Sequence, residues 1–335
     1  MWRLPAALVV ACLVTLPGCG SAGEAPSAVS SRETQLHIVT TVAPITSIVA
    51  QVAGARAEVA GLVPEGTNSH TFEPPPRAAR LLAQADVVFL NGLMLEDPIQ
   101  QLAKANLKPG AEIVGLGDRA ISPNEYIYDF SFPKEGGRPN PHLWTDPPLA
   151  KRYAEIVADV LARRNPANAA EYRANYEGFG RQADQLSEAI RLASGTIPPE
   201  KRQLLTYHDG FAYFARDFGW RVIGAIQPSS FDEPTPQEVA NLIRQIRQAG
   251  VPAIFGSEVF PSPVLNQIGR EAGVRYVDVL RDDDLPGEPG DPEHSWLGLM
   301  RFNFITMVRS LGGDASALEA VGLETEVKDR ARYPQ

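Results

Sequence analysis

The 335-residue chain is 44% hydrophobic and 21% charged, which is ordinary globular material and enough for two domains. A net charge of −9 with no basic cluster argues against a nucleic-acid partner and mildly favours cations as ligands. The only two cysteines, Cys12 and Cys19, fall within the N-terminal segment, so the remainder has no disulfide framework.

Residues 1–18 read as a signal segment. Arg3 is a short positive region, Ala6 to Leu16 is an apolar stretch interrupted upstream by Pro5, and the whole is too short for a membrane span. Leu16-Pro17-Gly18-Cys19 resembles a bacterial lipobox, which implies cleavage before Cys19 and lipidation of its sulfur; a plain secretory signal is the alternative. Residues 19–35, rich in Ser, Ala and Gly, then form a flexible tether. The expected location is the outer face of the bacterial cytoplasmic membrane, reached by export and held by lipid.

Along the chain, β-branched runs alternate with amphipathic stretches, the pattern of an α/β fold with parallel sheets. In a first lobe, residues 36–165, strands are expected over Leu36 to Val42, Glu58 to Val63, Asp86 to Leu90 and Glu112 to Leu116. Helices are expected from Pro44 to Gly54, Arg77 to Gln84 and Asp97 to Asn106. Gly117 to Pro139 is a long loop whose alternating Tyr126, Tyr128, Phe130 and Phe132 suggest a small hairpin. Asp146 as N-cap and Pro147 in the first turn start a helix that runs to about Arg164.

Residues 166–196 form a linking helix, opened by Pro166 and spanning on the order of 40 Å. A second lobe, residues 197–313, repeats the alternation, with strands at Gln203 to Tyr207, Arg221 to Ile226, Ala253 to Phe255 and Val274 to Leu280. Thr235-Pro236-Gln237-Glu238 is a capping box ahead of a helix stopped by Gly250, and a last helix covers about Ser295 to Leu311. Residues 314–335 are a tail without a clear pattern.

His70 sits in the turn-rich loop PEGTNSHTFEPPP, beyond the second strand, where ligands of open parallel sheets lie. His142 precedes a helix start, and His208 ends a strand before Asp209-Gly210. Asp278, within the strand Tyr276-Val277-Asp278-Val279, is a carboxylate among apolar neighbours that needs a positive partner. Two of these candidates lie on each side of the linking helix, and converged in a cleft they would make a closed N3O site for a divalent cation. No short ligand motif such as HExxH is present.

The segments NSHTFEP, NPHLWTDP, TYHDGFAYFARDFG and VDVL, in this order around a long helix and behind a lipobox, resemble the metal-binding lipoproteins of zinc and manganese ABC uptake systems, the cluster A-I solute-binding proteins. The resemblance covers nearly all of the chain after Cys19. It implies two Rossmann-like lobes joined by a rigid helix, with one divalent ion carried between them by His70, His142, His208 and Asp278. It also implies an ABC permease and its ATPase as partners, a monomer, and no enzymatic activity. Many manganese-type members carry glutamate at the position of His208, and zinc-type members often carry a His-rich loop that is absent here. Three imidazoles and one carboxylate suit zinc better than manganese. Glu258 matches a family glutamate near the cleft, with a supporting or substitute-ligand role set against a cap or salt bridge.

Asp282, Asp283 and Asp284 are expected to be a solvated acidic loop rather than a calcium-type cluster, and His37 and His294 to be structural or exposed. Trp144 is expected to pack beneath the His142 loop. Two other functions stay open at this point. A metallohydrolase would use three histidines and an open water position. A surface-adhesin role is neither supported nor excluded by the residues.

Overall fold

Parallel pairing organises the first half. The computed structural model describes residues 35–226, 235–257 and 263–334, so Cys19, the tether and Glu258 lie outside the described residues. In the first half, β1 (Leu36–Thr40) leads into α1 (Ala43–Ala53), β2 (Ala57–Gly61), α2 (Pro76–Gln84) and β3 (Val87–Leu90). Next come α3 (Asp97–Asn106), β4 (Glu112–Gly115) and α4 (Leu116–Ala120). The strands form one sheet in the order β2-β1-β3-β4, every ladder parallel. Parallel neighbours need crossovers, which is why helices separate the first strands. β3 is buried along its whole length, as a strand covered on both faces must be, and α1 is buried at all positions.

The stretch after α4 is not a hairpin. Asp129 accepts hydrogen bonds from the backbone N–H groups of Ser131 and Phe132, both 3.0 Å, so its side chain takes the donors that a strand pairing would need. α5 (Pro147–Arg164) begins as expected, with the Asp146 carboxylate accepting from Leu149 N–H. α6 (Ala169–Gly195) has 27 residues, about 40 Å at the α-helical rise. It packs against α1 and α5 from the first half, burying Tyr172, Phe179, Leu186 and Ile190.

In the second half β5 (Gln203–Thr206) is followed by α7 (Ala212–Phe218) and β6 (Arg221–Ala225), then α8 (Pro236–Ala249) and β7 (Ala253–Ser257). α9 (Pro263–Ala272), β8 (Arg275–Leu280), α10 (Trp296–Ser310) and the short α11 (Ser316–Glu319) complete the order. β5 pairs with β6 and β7 with β8, all parallel. The α8 capping box forms, and Gly250 closes the helix in the left-handed region at φ 63°. The β7–β8 register shifts: Phe255 faces Val277 but Ser257 faces Leu280, which inserts one extra residue into β8 at 278–279.

The tail is not idle. Its residue Arg332 makes a parallel bridge with Ala60 of the edge strand β2, covering part of an otherwise unpaired sheet edge.

Candidate metal centre

Each cluster residue sits where a regular element ends. His70 lies in the loop that leaves β2, His208 follows β5 by two residues, and Asp282 follows β8 by two. His142 precedes the 3-10 turn Leu143–Thr145 that leads into α5. One nitrogen from each of His70, His142 and His208 lies within 4.8 Å of the others. The Nε2 atoms of His70 and His142 are 3.1 Å apart, and those of His142 and His208 are 3.2 Å apart. Donor nitrogens around a tetrahedral zinc, with bonds of about 2.0–2.1 Å, stand roughly 3.4 Å from one another.

The fourth group differs from the expected one. Asp278 is exposed within β8, inside the irregular 278–279 step. The strand ends at Leu280, where the sequence also places its end, so Asp278 lies inside it and Asp282 lies two residues beyond it. The Asp282 Oδ2 lies 2.7 Å from His208 Nε2 and 4.0 Å from His142 Nε2. Ser257, at the end of β7, donates its hydroxyl to Asp282 Oδ1 at 3.3 Å.

The acidic triplet is therefore no solvated loop: Asp282, Asp283 and Asp284 are only 4%, 4% and 6% exposed. Asp283 accepts from the backbone N–H and the hydroxyl of Ser69, at 2.9 and 3.0 Å. Both oxygens of Asp284 accept from Gly66 N–H at 2.8 Å. These bonds clamp the His70 loop from the second half of the chain. Burial, then the charge of Asp282, pushes the Asp283 carboxyl up to about 7; burial, then Glu65, pushes Asp284 up to about 6.

Electrostatics divide the three imidazoles. Burial, aided by the positive charge of His208, holds His70 down to about 3. Burial, with His208 and His70 adding to it, holds His142 well below the usual histidine value. For His208 burial also disfavours the charge, but the adjacent Asp282 outweighs it and the value is raised. Asp282 is the mirror case, burial opposing its charge and His208 restoring it, so its value is lowered. The site holds one ion pair and two neutral imidazoles.

Supporting groups fix the orientation. Asn140 Oδ1 lies 2.9 Å from His142 Nδ1, and an amide oxygen can only accept, so Nδ1 carries the proton and the Nε2 lone pair faces the cluster. Asn140 in turn donates to Asp129 at 2.7 Å and to the Asp209 carbonyl at 2.6 Å. Asn91 donates to the Pro141 carbonyl at 2.9 Å, and Thr145 to the Gly210 carbonyl at 2.7 Å. Trp144 packs beside His142, ring centroids 5.0 Å apart, and its indole donates to the Asp282 carbonyl at 2.8 Å.

None of Asn140, Asn91 or Asp282 stands out in the sequence by type. A run of three acids directly beyond a parallel strand was the available signal, because that is where ligands of such sheets lie. His37 is half exposed beside Glu58, and His294 is buried against Glu65. His70 also borders a cavity of about 340 Å³ that Met94, Phe132 and Arg138 help to line.

The family described as zinc-uptake complex component A, periplasmic (ZnuA), matches residues 38–310. The chain is 27% identical over 283 residues to the iron-binding protein YfeA of Yersinia pestis, covering 84% of this chain and 88% of that one. It is 26% identical over 294 residues to the manganese-binding lipoprotein MntA of Halalkalibacterium halodurans, covering 88% and 93%. Among solved structures, the periplasmic zinc binding protein TroA from Treponema pallidum superposes with a TM-score of 0.73 at 24% identity, over 82% of this chain and 98% of that one. A mutant, manganese-bound periplasmic metal binding protein from Candidatus Liberibacter asiaticus gives 0.72 at 26% identity, over 82% and 98%.

Proposed function

The chain belongs to the periplasmic zinc-uptake component A family, solute-binding proteins of metal ABC transporters, and from that premise we propose that it captures one divalent transition-metal ion between His70, His142, His208 and Asp282. The observation that carries the proposal is the convergence of three buried or half-buried Nε2 atoms beside one buried carboxylate. Four protein donors make a closed binding shell, whereas hydrolysis needs an open position for water. The cargo passes to a membrane permease driven by an ATPase. The protein acts as a monomer outside the cytoplasm, tethered by lipid at Cys19 and carried as two lobes on either side of α6. No helix among the described residues is long and apolar enough to cross a membrane.

Zinc is the preferred cargo in this reading. Imidazole-rich sites favour zinc, while manganese prefers more oxygen donors, and zinc also stands above manganese in the general order of divalent affinities. Relatives named for iron and manganese make the choice a matter for measurement. Elemental analysis of the purified protein and competitive titration with the two ions test it. The expected result is one ion per chain and zinc bound at least about tenfold more tightly than manganese. Tighter manganese binding would overturn the zinc assignment, and no stoichiometric metal would overturn the site.

A further inference from the structure

We propose that Glu65 and His294 are positioning residues for the metal site, and that the C-terminal segment 323–334 is the strap that holds them in place. The proposal rests on the metal-binding reading above and adds to it a part of the chain remote in sequence from all four cluster residues. Glu65 stands five residues before His70 and collects contacts from three directions. Its carboxylate accepts from Leu285 N–H at 3.3 Å, next to the acidic triplet, and its Oε1 lies 3.1 Å from His294 Nε2. Its own N–H donates to the Pro334 carbonyl at 3.2 Å.

The tail secures that node. Arg332 N–H donates to the Val59 carbonyl at 2.9 Å, and Gly61 N–H to the Arg332 carbonyl at 2.9 Å, so the tail is bridged to the edge of β2 at Arg332. Tyr333 meets the His294 ring edge-on with centroids 4.6 Å apart, and its hydroxyl donates to Asp329 at 2.6 Å. Further back, Arg181 on α6 pairs with Glu326 at 2.8 Å, and Gln182 donates to the Glu324 carbonyl at 2.9 Å. His294 is thus packed between the tail and the root of the His70 loop, while Asp283 and Asp284 hold the same loop at Ser69 and Gly66. The strap removes freedom from a Gly-containing loop that would otherwise have to be ordered when an ion binds, and preorganisation of this kind shows as affinity.

The test uses full-length variants. Glu65→Ala removes the acceptor, Glu65→Gln keeps an acceptor oxygen at the same place, and Arg332→Pro removes the N–H that pairs the tail with β2. Zinc affinity and dissociation rate are read by competition with a chromophoric chelator, and amide exchange at Gly66 and Ser69 is read on the metal-free protein. Glu65→Ala and Arg332→Pro are expected to weaken zinc binding about tenfold through faster release, with Glu65→Gln within about twofold of the parent. The double variant Glu65→Ala/Arg332→Pro should be little worse than either alone, since both open one strap. Exchange at Gly66 and Ser69 should accelerate in both single variants. Unchanged zinc release and unchanged exchange in Glu65→Ala, or losses that multiply in the double variant, would overturn the strap while leaving zinc binding by the parent intact. A parent that binds no zinc would refute the metal reading instead, and the exchange data would still decide the strap.

Discussion

At the scale of single residues, one of the three imidazoles carries a proton rather than all three. His70, held to about 3, and His142, also lowered, are neutral in the metal-free protein at any pH near neutrality. His208 alone has a raised value, sustained against burial by Asp282. The sign follows directly. Above the raised value of His208 an ion meets three free lone pairs, and below it one proton must leave for each ion bound. Affinity therefore falls less steeply on the acid side than the slope approaching three that three ordinary histidines would give below about 6.5. Calorimetry in buffers of different ionisation enthalpy at pH 6 should find between one and two protons released per zinc, one from His208 and the rest from Asp283, whose carboxyl at about 7 loses its proton as the ion offsets the charge of Asp282; release near three would contradict the assignment of charges.

At the scale of elements, what the sequence makes legible is what local chemistry fixes. Pro147 behind Asp146, and the Thr235–Glu238 box, give helix starts that the structure reproduces to the residue. In α8 the Thr235 hydroxyl accepts from Glu238 N–H while the Glu238 carboxylate accepts from Thr235 N–H. Thr235→Ala should lower stability by about 1 kcal/mol, read by denaturant melts. Non-local pairing is what stays hidden. The extra residue of β8 is set by its register against β7, so the sequence does not show that Asp278 stays exposed within the strand while Asp282, two residues past its end, reaches His208. The aromatic alternation at 126–132 imitates a hairpin, yet Asp129 has already taken its donors. The tail carries no periodic signal because its partner, the edge of β2, is more than 250 residues away.

At the scale of the whole molecule, the fold brings strand ends from both halves of the chain to one place and braces them with buried polar bonds. The two-half architecture and all three histidines follow from motifs that precede or end regular elements. The fourth donor follows only from tertiary register. Asn140, Asn91, Thr145 and the acid triplet hold the cluster at set distances, so the ion enters a frame already built. Zinc titration of Asp282→Ala beside Asp278→Ala is the most direct test of that frame. Asp282→Ala should weaken zinc binding by tenfold or more while Asp278→Ala binds as the parent does; full affinity in Asp282→Ala, or its loss in Asp278→Ala, would contradict the site described here.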